Sequence, residues 1–202
     1  MEEKSSSFTP EQSLELIGKF ILNYRKNLKG NSFYFLLWGW LIALASISHF
    51  MILSYLLRQE AFDKIGLFSA VNWIIFPFVG LIITIVRARK PSVKKESRSH
   101  IDNFITTLWQ FTALAIIITL FLCLKINHVF VTPFILTIVA LSTMVTGFTI
   151  NFRPLIFGGI IFFLFAVISS FFNDEYQLLI NALAIALGYL VPGYMLRASK
   201  TE

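Results

Sequence analysis

Asp, Glu, Lys and Arg are absent from the six long apolar segments of this 202-residue chain. Within those segments, His49 is the one side chain suited to acid–base chemistry. Pumps, ion-coupled carriers and intramembrane hydrolases need buried charges or metal ligands to work. The missing charges therefore argue against these three classes. We expect no catalytic residue, no metal site and no cofactor.

Cysteine is equally scarce, since Cys123 is the only one. A single cysteine cannot form an internal disulfide, and its place in an apolar segment favours a packing role. The polar stretch 1–32 also lacks a short apolar leader with a small-residue cleavage site. We therefore expect the first apolar segment to remain in the mature protein.

What the chain does contain is apolar side chains, with 56% hydrophobic residues, 22 Phe and only 14% charged residues. Six spans of about 20 residues each occupy most of the chain. The sequence therefore predicts an all-α, polytopic membrane helix bundle with six transmembrane helices in a single domain, 33–196. A cytoplasmic segment, 1–32, precedes it, and a short tail, 197–202, follows it. The predicted spans are 33–57, 65–86, 104–124, 129–150, 155–172 and 177–196.

The start of the second span is left open by the sequence. A start near residue 65 places Trp73 inside the bundle. A start near residue 71 instead places Asn72 and Trp73 at the membrane interface, where tryptophan is common.

Positive charge is distributed unequally between the two sides of the predicted spans. Fourteen of the Lys and Arg residues lie on the side of the two termini, and three lie on the other side. Cytoplasmic flanks retain positive charge during insertion. Both termini are therefore predicted to be cytoplasmic.

The segment before the first span has an amphipathic pattern. Thr9-Pro10-Glu11-Gln12 is typical of a helix start. Four apolar residues then recur at helical spacing on one face: Leu14, Ile17, Ile21 and Leu28. The pattern predicts an N-terminal amphipathic cytoplasmic helix lying on the inner leaflet, with docking to a partner protein as the alternative.

The connection from residue 87 to residue 103 is strongly basic. Its positive side chains form a predicted cytoplasmic basic surface: Arg87, Arg89, Lys90, Lys94, Lys95 and Arg98. Such charges fix topology in any multi-span protein, which is the favoured interpretation. The alternative is binding of anionic lipid head groups, worth about 1 kcal/mol per basic residue. Nucleic acid is not an expected partner, because aromatic residues do not alternate with the charges.

Three polar residues reach similar depth in the outer half of the predicted spans: His49, Asn72 and Asn181. Together they can line one shallow, outward-facing polar pocket for a ligand. The favoured alternative is that each one hydrogen-bonds a neighbouring helix, worth about 1 kcal/mol. A lone histidine without a second His, Cys or carboxylate is not a metal site.

Prolines give the one hint of a mechanism. Pro77 lies near the middle of the second span, and Pro192 with Gly193 interrupts the sixth. A proline inside a span removes a helix hydrogen bond and kinks the helix. Bends of this kind line sites in transporters, although many have no such role.

Three stretches resemble an uncharacterised family of small bacterial six-span membrane proteins: FLLWGWLIALASISHF (35–50), NFRPLIFGGI (151–160) and LGYLVPGYMLR (187–197). The resemblance runs the full length and includes the N-terminal segment. It implies an architecture and a bacterial cytoplasmic membrane, with no activity, ligand or catalytic residue to carry over.

Two function classes follow from these observations. The leading hypothesis is a non-enzymatic bundle with a structural, regulatory or partner-binding role, in which the cytoplasmic helix and basic loop form the contact surface. Its partner is a protein or a second copy of the chain. The alternative is a facilitative permease or channel for a small neutral or apolar solute.

Overall fold

The computed structural model describes residues 10–89, 100–126 and 131–198, and every regular element in these ranges is helical. Side chains of α1 are described from Ser32 onward. The elements are α1 Pro10–Arg58, α2 Phe62–Ala88, α3 His100–Ile126, α4 Val131–Thr149, α5 Arg153–Ser169, α6 Asp174–Ile185, a π segment Ala186–Leu190 and α7 Val191–Ala198.

Five helical stretches are long and apolar enough to cross a membrane. They are Ser32–Arg58, Phe62–Arg87, Asn103–Lys125, Val131–Thr149 and Asp174–Ala198. Helix α5 is also apolar but has 17 residues. An all-helical bundle with several candidate spans agrees with the fold class that the sequence predicts.

Helix α1 is a single unbroken helix of 49 residues. At a rise of about 1.5 Å per residue it is about 74 Å long. The sequence divides this stretch into an N-terminal helix and a separate first span, whereas the structure joins the two. The one glycine near the junction, Gly30, costs about 1 kcal/mol of helix propensity, which does not stop a helix of this length.

Helix α2 begins soon after α1 ends. Glu60 adopts a left-handed conformation with φ of 54°. The N–H of Ala61 donates to the Leu56 carbonyl over 3.1 Å, which closes α1 with a Schellman-type turn. Because α2 starts at Phe62, Trp73 lies three turns inside the helix.

Helix α1 is central to the packing. It contacts α2 on one side and α6, the π segment and α7 on the other, while α5 packs against α4, α6, the π segment and α7. Helix α2 packs on α1, and the backbone of α3 approaches only α4. Among the residues that the structure describes, the backbones of α2 and α3 do not approach each other.

Glycines allow α5 to approach its neighbours closely. A Cβ atom on Gly158 would lie 2.4 Å from the Gly188 carbonyl oxygen, and one on Gly159 would lie 3.0 Å from the Ala140 carbonyl oxygen. No side chain larger than hydrogen fits at these distances. Close backbone approach is the usual basis of helix association in membranes.

The interruption that the sequence predicts at Pro192 and Gly193 coincides with the π segment, which ends two residues before the proline. Pro192 has no N–H, so the Gly188 carbonyl lacks its usual donor four residues later. The Val191 N–H donates to the Ala186 carbonyl, five residues back. The helix thus continues through the proline by widening one turn. Pro77, in contrast, lies inside α2 without a change of helix type.

We expect Gly158→Ala to lower the free energy of unfolding by about 1 to 3 kcal/mol, the usual cost of overpacking. The matched control is Gly66→Ala, because a Cβ on Gly66 meets no atom within 4 Å. That control should be neutral or stabilising by up to about 1 kcal/mol. Reversible unfolding in bicelles measures both values, and equal effects would contradict the packing described here.

Candidate functional site

The half of the α1–α2 contact nearer the turn between the two helices, which the sequence predicts to be the outer half, is polar, and His49 lies at its centre. The Trp73 indole Nε1–H donates to His49 Nδ1 over 2.9 Å. His49 Nε2 lies 2.7 Å from the Ser69 hydroxyl oxygen. Because indole nitrogen is a donor only, Nδ1 must be unprotonated, and the proton lies on Nε2. His49 is therefore a neutral imidazole that donates to Ser69.

Asn72 completes this contact one helical turn away. Its amide N–H donates to the Ala45 carbonyl over 2.9 Å, and its amide oxygen accepts from the Ser48 hydroxyl over 2.7 Å. Helices α1 and α2 thus share two neighbouring sets of hydrogen bonds, one through His49 and one through Asn72. We name them together the α1–α2 clasp, and its side chains are Ser48, His49, Ser69, Asn72 and Trp73.

Asn181 belongs to a different contact. It lies on α6, where its amide N–H donates to the Ser46 hydroxyl over 2.7 Å. Ser46 in turn donates to the Ile42 carbonyl of its own helix over 2.9 Å. Ser46 faces α6 whereas Ser48 faces α2. The structure therefore brings His49 and Asn72 together and holds Asn181 on another face of α1.

A groove of about 340 Å³ lies between α4 and α5. Its lining is mostly apolar and consists of Pro133, Phe134, Thr137, Phe163, Ala166, Val167 and Ser170. None of the three residues predicted to bind a ligand lines it. Binding of a ligand at His49, Asn72 and Asn181 stays a prediction.

Toward the opposite end of the bundle, Tyr189 of the π segment lies at the centre of an aromatic cluster. Its ring centroid lies 4.9 Å from that of Phe162, 5.8 Å from that of Phe35 and 6.1 Å from that of Trp109. Its hydroxyl lies 3.3 Å from Thr143 Oγ1. Five helical elements therefore meet here, and Trp109 links α3 to the core. The sequence analysis did not predict a role for Tyr189.

The basic surface is described only in part. The guanidinium carbon of Arg87 lies 3.9 Å above the Phe33 ring, and both Arg87 and Arg89 are exposed. Lys90, Lys94, Lys95 and Arg98 lie outside the described residues. A cation–π contact of this type fixes the end of α2 against α1 while leaving the guanidinium N–H groups accessible.

Within the described ranges, no three His, Cys, Asp or Glu side chains are grouped so as to hold a metal ion. Searches of protein-family models, curated proteins and solved structures find no match to this chain. The resemblance to small bacterial six-span proteins therefore stays a prediction.

We expect Asn72→Leu to lower the free energy of unfolding by about 1 to 2 kcal/mol, since it removes two interhelical hydrogen bonds. Gln110→Leu is the control, because Gln110 is exposed on α3 and leucine suits a lipid-facing position. Steric trapping in bicelles measures both. The clasp would be contradicted if the two variants were equally stable.

Proposed function

We propose that this protein is a non-enzymatic, six-span membrane bundle that binds a partner protein through its N-terminal helix on the cytoplasmic side. The unbroken course of α1 carries the proposal. A span of the hydrocarbon core needs about 20 residues, and α1 has 49. The same helix that contacts α2, α6 and α7 therefore continues well beyond the membrane.

Assignment of α5 as the sixth span rests on its antiparallel packing with α4. Near one end of this pair, a Cβ on Gly147 would lie 2.8 Å from the Ile156 backbone nitrogen. Near the other end, Thr137 and Ser170 line the same groove. Helix α5 thus follows α4 over most of its length, and α4 is long enough to cross a membrane. Six crossings place both termini on one side, as the positive charges predict.

A rigid helix that continues beyond the membrane can transmit movement between a bound partner and the bundle. A helix that lies flat on a leaflet must turn sharply where it joins its span, and a sharp turn breaks helical hydrogen bonds. Helix α1 has no such break. This favours docking of a partner protein over the lipid-surface interpretation of residues 10–31. Anionic lipid at Arg87 and Arg89 is a compatible second contact, and the resemblance to bacterial proteins supports the bacterial cytoplasmic membrane as the location.

Ile21→Glu is expected to reduce recovery of the partner at least about tenfold, the equivalent of 1.4 kcal/mol, because it introduces a charge on the apolar face. Asn23→Glu is the matched control, since it introduces the same residue on the opposite face two positions later. In-cell crosslinking followed by quantitative mass spectrometry of the purified protein compares the two. Both variants should insert normally.

Deletion of residues 1–28 should give the same loss as Ile21→Glu while leaving the spans inserted. If the same proteins are recovered in equal amounts from wild type, both point variants and the deletion, partner binding through this helix is contradicted.

A facilitator for small neutral solutes is the second candidate, and the π segment favours it. Such segments are frequent at functional sites, and this one ends next to Pro192. We expect such a facilitator to raise glycerol or urea flux into liposomes above that of empty liposomes, and His49→Ala to change that flux. Stopped-flow light scattering measures the rates. Wild-type rates equal to those of empty liposomes would remove this candidate.

A further inference from the structure

Helix α2 is attached to α1 at two places on either side of Pro77. The outer attachment is the α1–α2 clasp. The inner attachment consists of Gly80, whose added Cβ would lie 2.9 Å from Leu41 Cδ1 and 3.2 Å from the Trp38 ring, and of Arg87 above the Phe33 ring at 3.9 Å. Among the described residues, the backbone of α2 approaches no other helix. The clasp is therefore the attachment of the outer half of α2, and the Asn72 bonds within it do not depend on the charge of His49.

Pro77 lies where a hinge between these attachments is needed. Because proline has no N–H, the carbonyl of Trp73 lacks its usual helical donor. Trp73 is itself a member of the clasp, through its bond to His49. The weak point of the α2 backbone therefore adjoins the hydrogen bonds that hold its outer half. Bending at proline is the commonest cause of sharp helix kinks.

The clasp needs a neutral His49. The imidazole accepts from Trp73 at Nδ1 and donates to Ser69 from Nε2. Protonation places a hydrogen on Nδ1, where it opposes the indole N–H, and neither group can then accept from the other. Within the protein, His49, Ser69 and Trp73 are only partly buried. Histidine changes charge at about pH 5 to 8.

Charged groups near the clasp do not replace the lost bond. On the elements packed against α1 at this end, they are Asp63 and Lys64 of α2 and Asp174 and Glu175 of α6, with Arg58 on α1 itself. Asp63 precedes Ser69 by six residues, about 9 Å along the helix. Glu175 accepts from Ser54. Neither carboxylate hydrogen-bonds the imidazole, whose bonds go to Ser69 and Trp73.

We propose that His49 and Trp73 form a pH-sensitive latch that fastens the outer half of α2, residues 62–76, to α1. The latch is closed while His49 is neutral and opens as the pH falls and His49 gains a proton. The outer half then swings about Pro77, and the inner half stays attached at Gly80 and Arg87. Among the described helices, only α1 has its backbone close to that of α2.

Distances between spin labels test the latch in the full-length chain, reconstituted in phosphatidylcholine nanodiscs with Cys123→Ser. Labels at Met51→Cys and Leu67→Cys report on the outer half, where both native side chains are about two-thirds exposed. Labels at Leu37→Cys and Ile83→Cys report on the inner half. Between about pH 8 and about pH 5, the outer distance should lengthen and its distribution broaden. The inner distance should not change.

Two variants assign the response to the latch. His49→Gln retains an amide that can donate and accept but gains no charge in this range, so its outer distance should not respond to pH. Trp73→Phe removes the indole donor, so its outer distance should be long at both pH values. An unchanged outer distance in wild type, equal lengthening of the inner and outer distances, or a full pH response in His49→Gln would overturn the proposal. The wild-type measurement decides the matter even if a variant does not fold.

Discussion

Inside a lipid bilayer, polar groups must find their partners within the protein, because no water is present to replace them. This constraint accounts for the helical backbone and for the conformations of most hydroxyl side chains. Ser46, Thr112 and Thr143 each donate to the carbonyl four residues earlier. Their oxygens then remain available to accept, and Ser46 accepts from Asn181 of α6. A hydroxyl satisfied by its own helix can therefore still join two helices.

The same constraint explains why glycine and proline occur together in the α5 contact. Pro192 deprives the Gly188 carbonyl of its usual donor, and Gly158 allows the backbone of α5 to come close to that carbonyl. Phe162 covers Gly188, since a Cβ there would lie 2.6 Å from its ring. Close packing therefore surrounds the Gly188 carbonyl, which Pro192 leaves without its usual donor. The irregular turn is tolerated because it is buried in protein rather than in lipid.

Composition predicts the helices well, because the length of an apolar stretch and its charged ends are local properties. Small residues of α1 lie at its contacts with α6 and the π segment: a Cβ on Gly39 would lie 2.8 Å from Leu190, and Ser46 accepts from Asn181. Similar depth in the membrane was the reason for grouping Asn181 with His49. Their actual contacts depend on which helices are neighbours. Trp73 was ambiguous for the same reason, since its partner lies 24 residues away. The continuity of α1 was also missed, because a change from polar to apolar residues does not by itself end a helix.

Several roles meet on α1 but use different faces and different depths. Ser46 faces α6, Ser48 and His49 face α2, and residues 10–31 extend beyond the apolar stretch. An unbroken helix resists bending. A force applied to the N-terminal part of α1 would therefore be transmitted to its contacts with α2 and α6. The α2 contact differs from the α6 contact in its titratable side chain and in its proline. The α2 contact contains His49 and is followed by Pro77, whereas the α6 contact contains Glu175, which accepts from Ser54. The proposed partner-binding helix and the proposed latch therefore involve the same pair of helices.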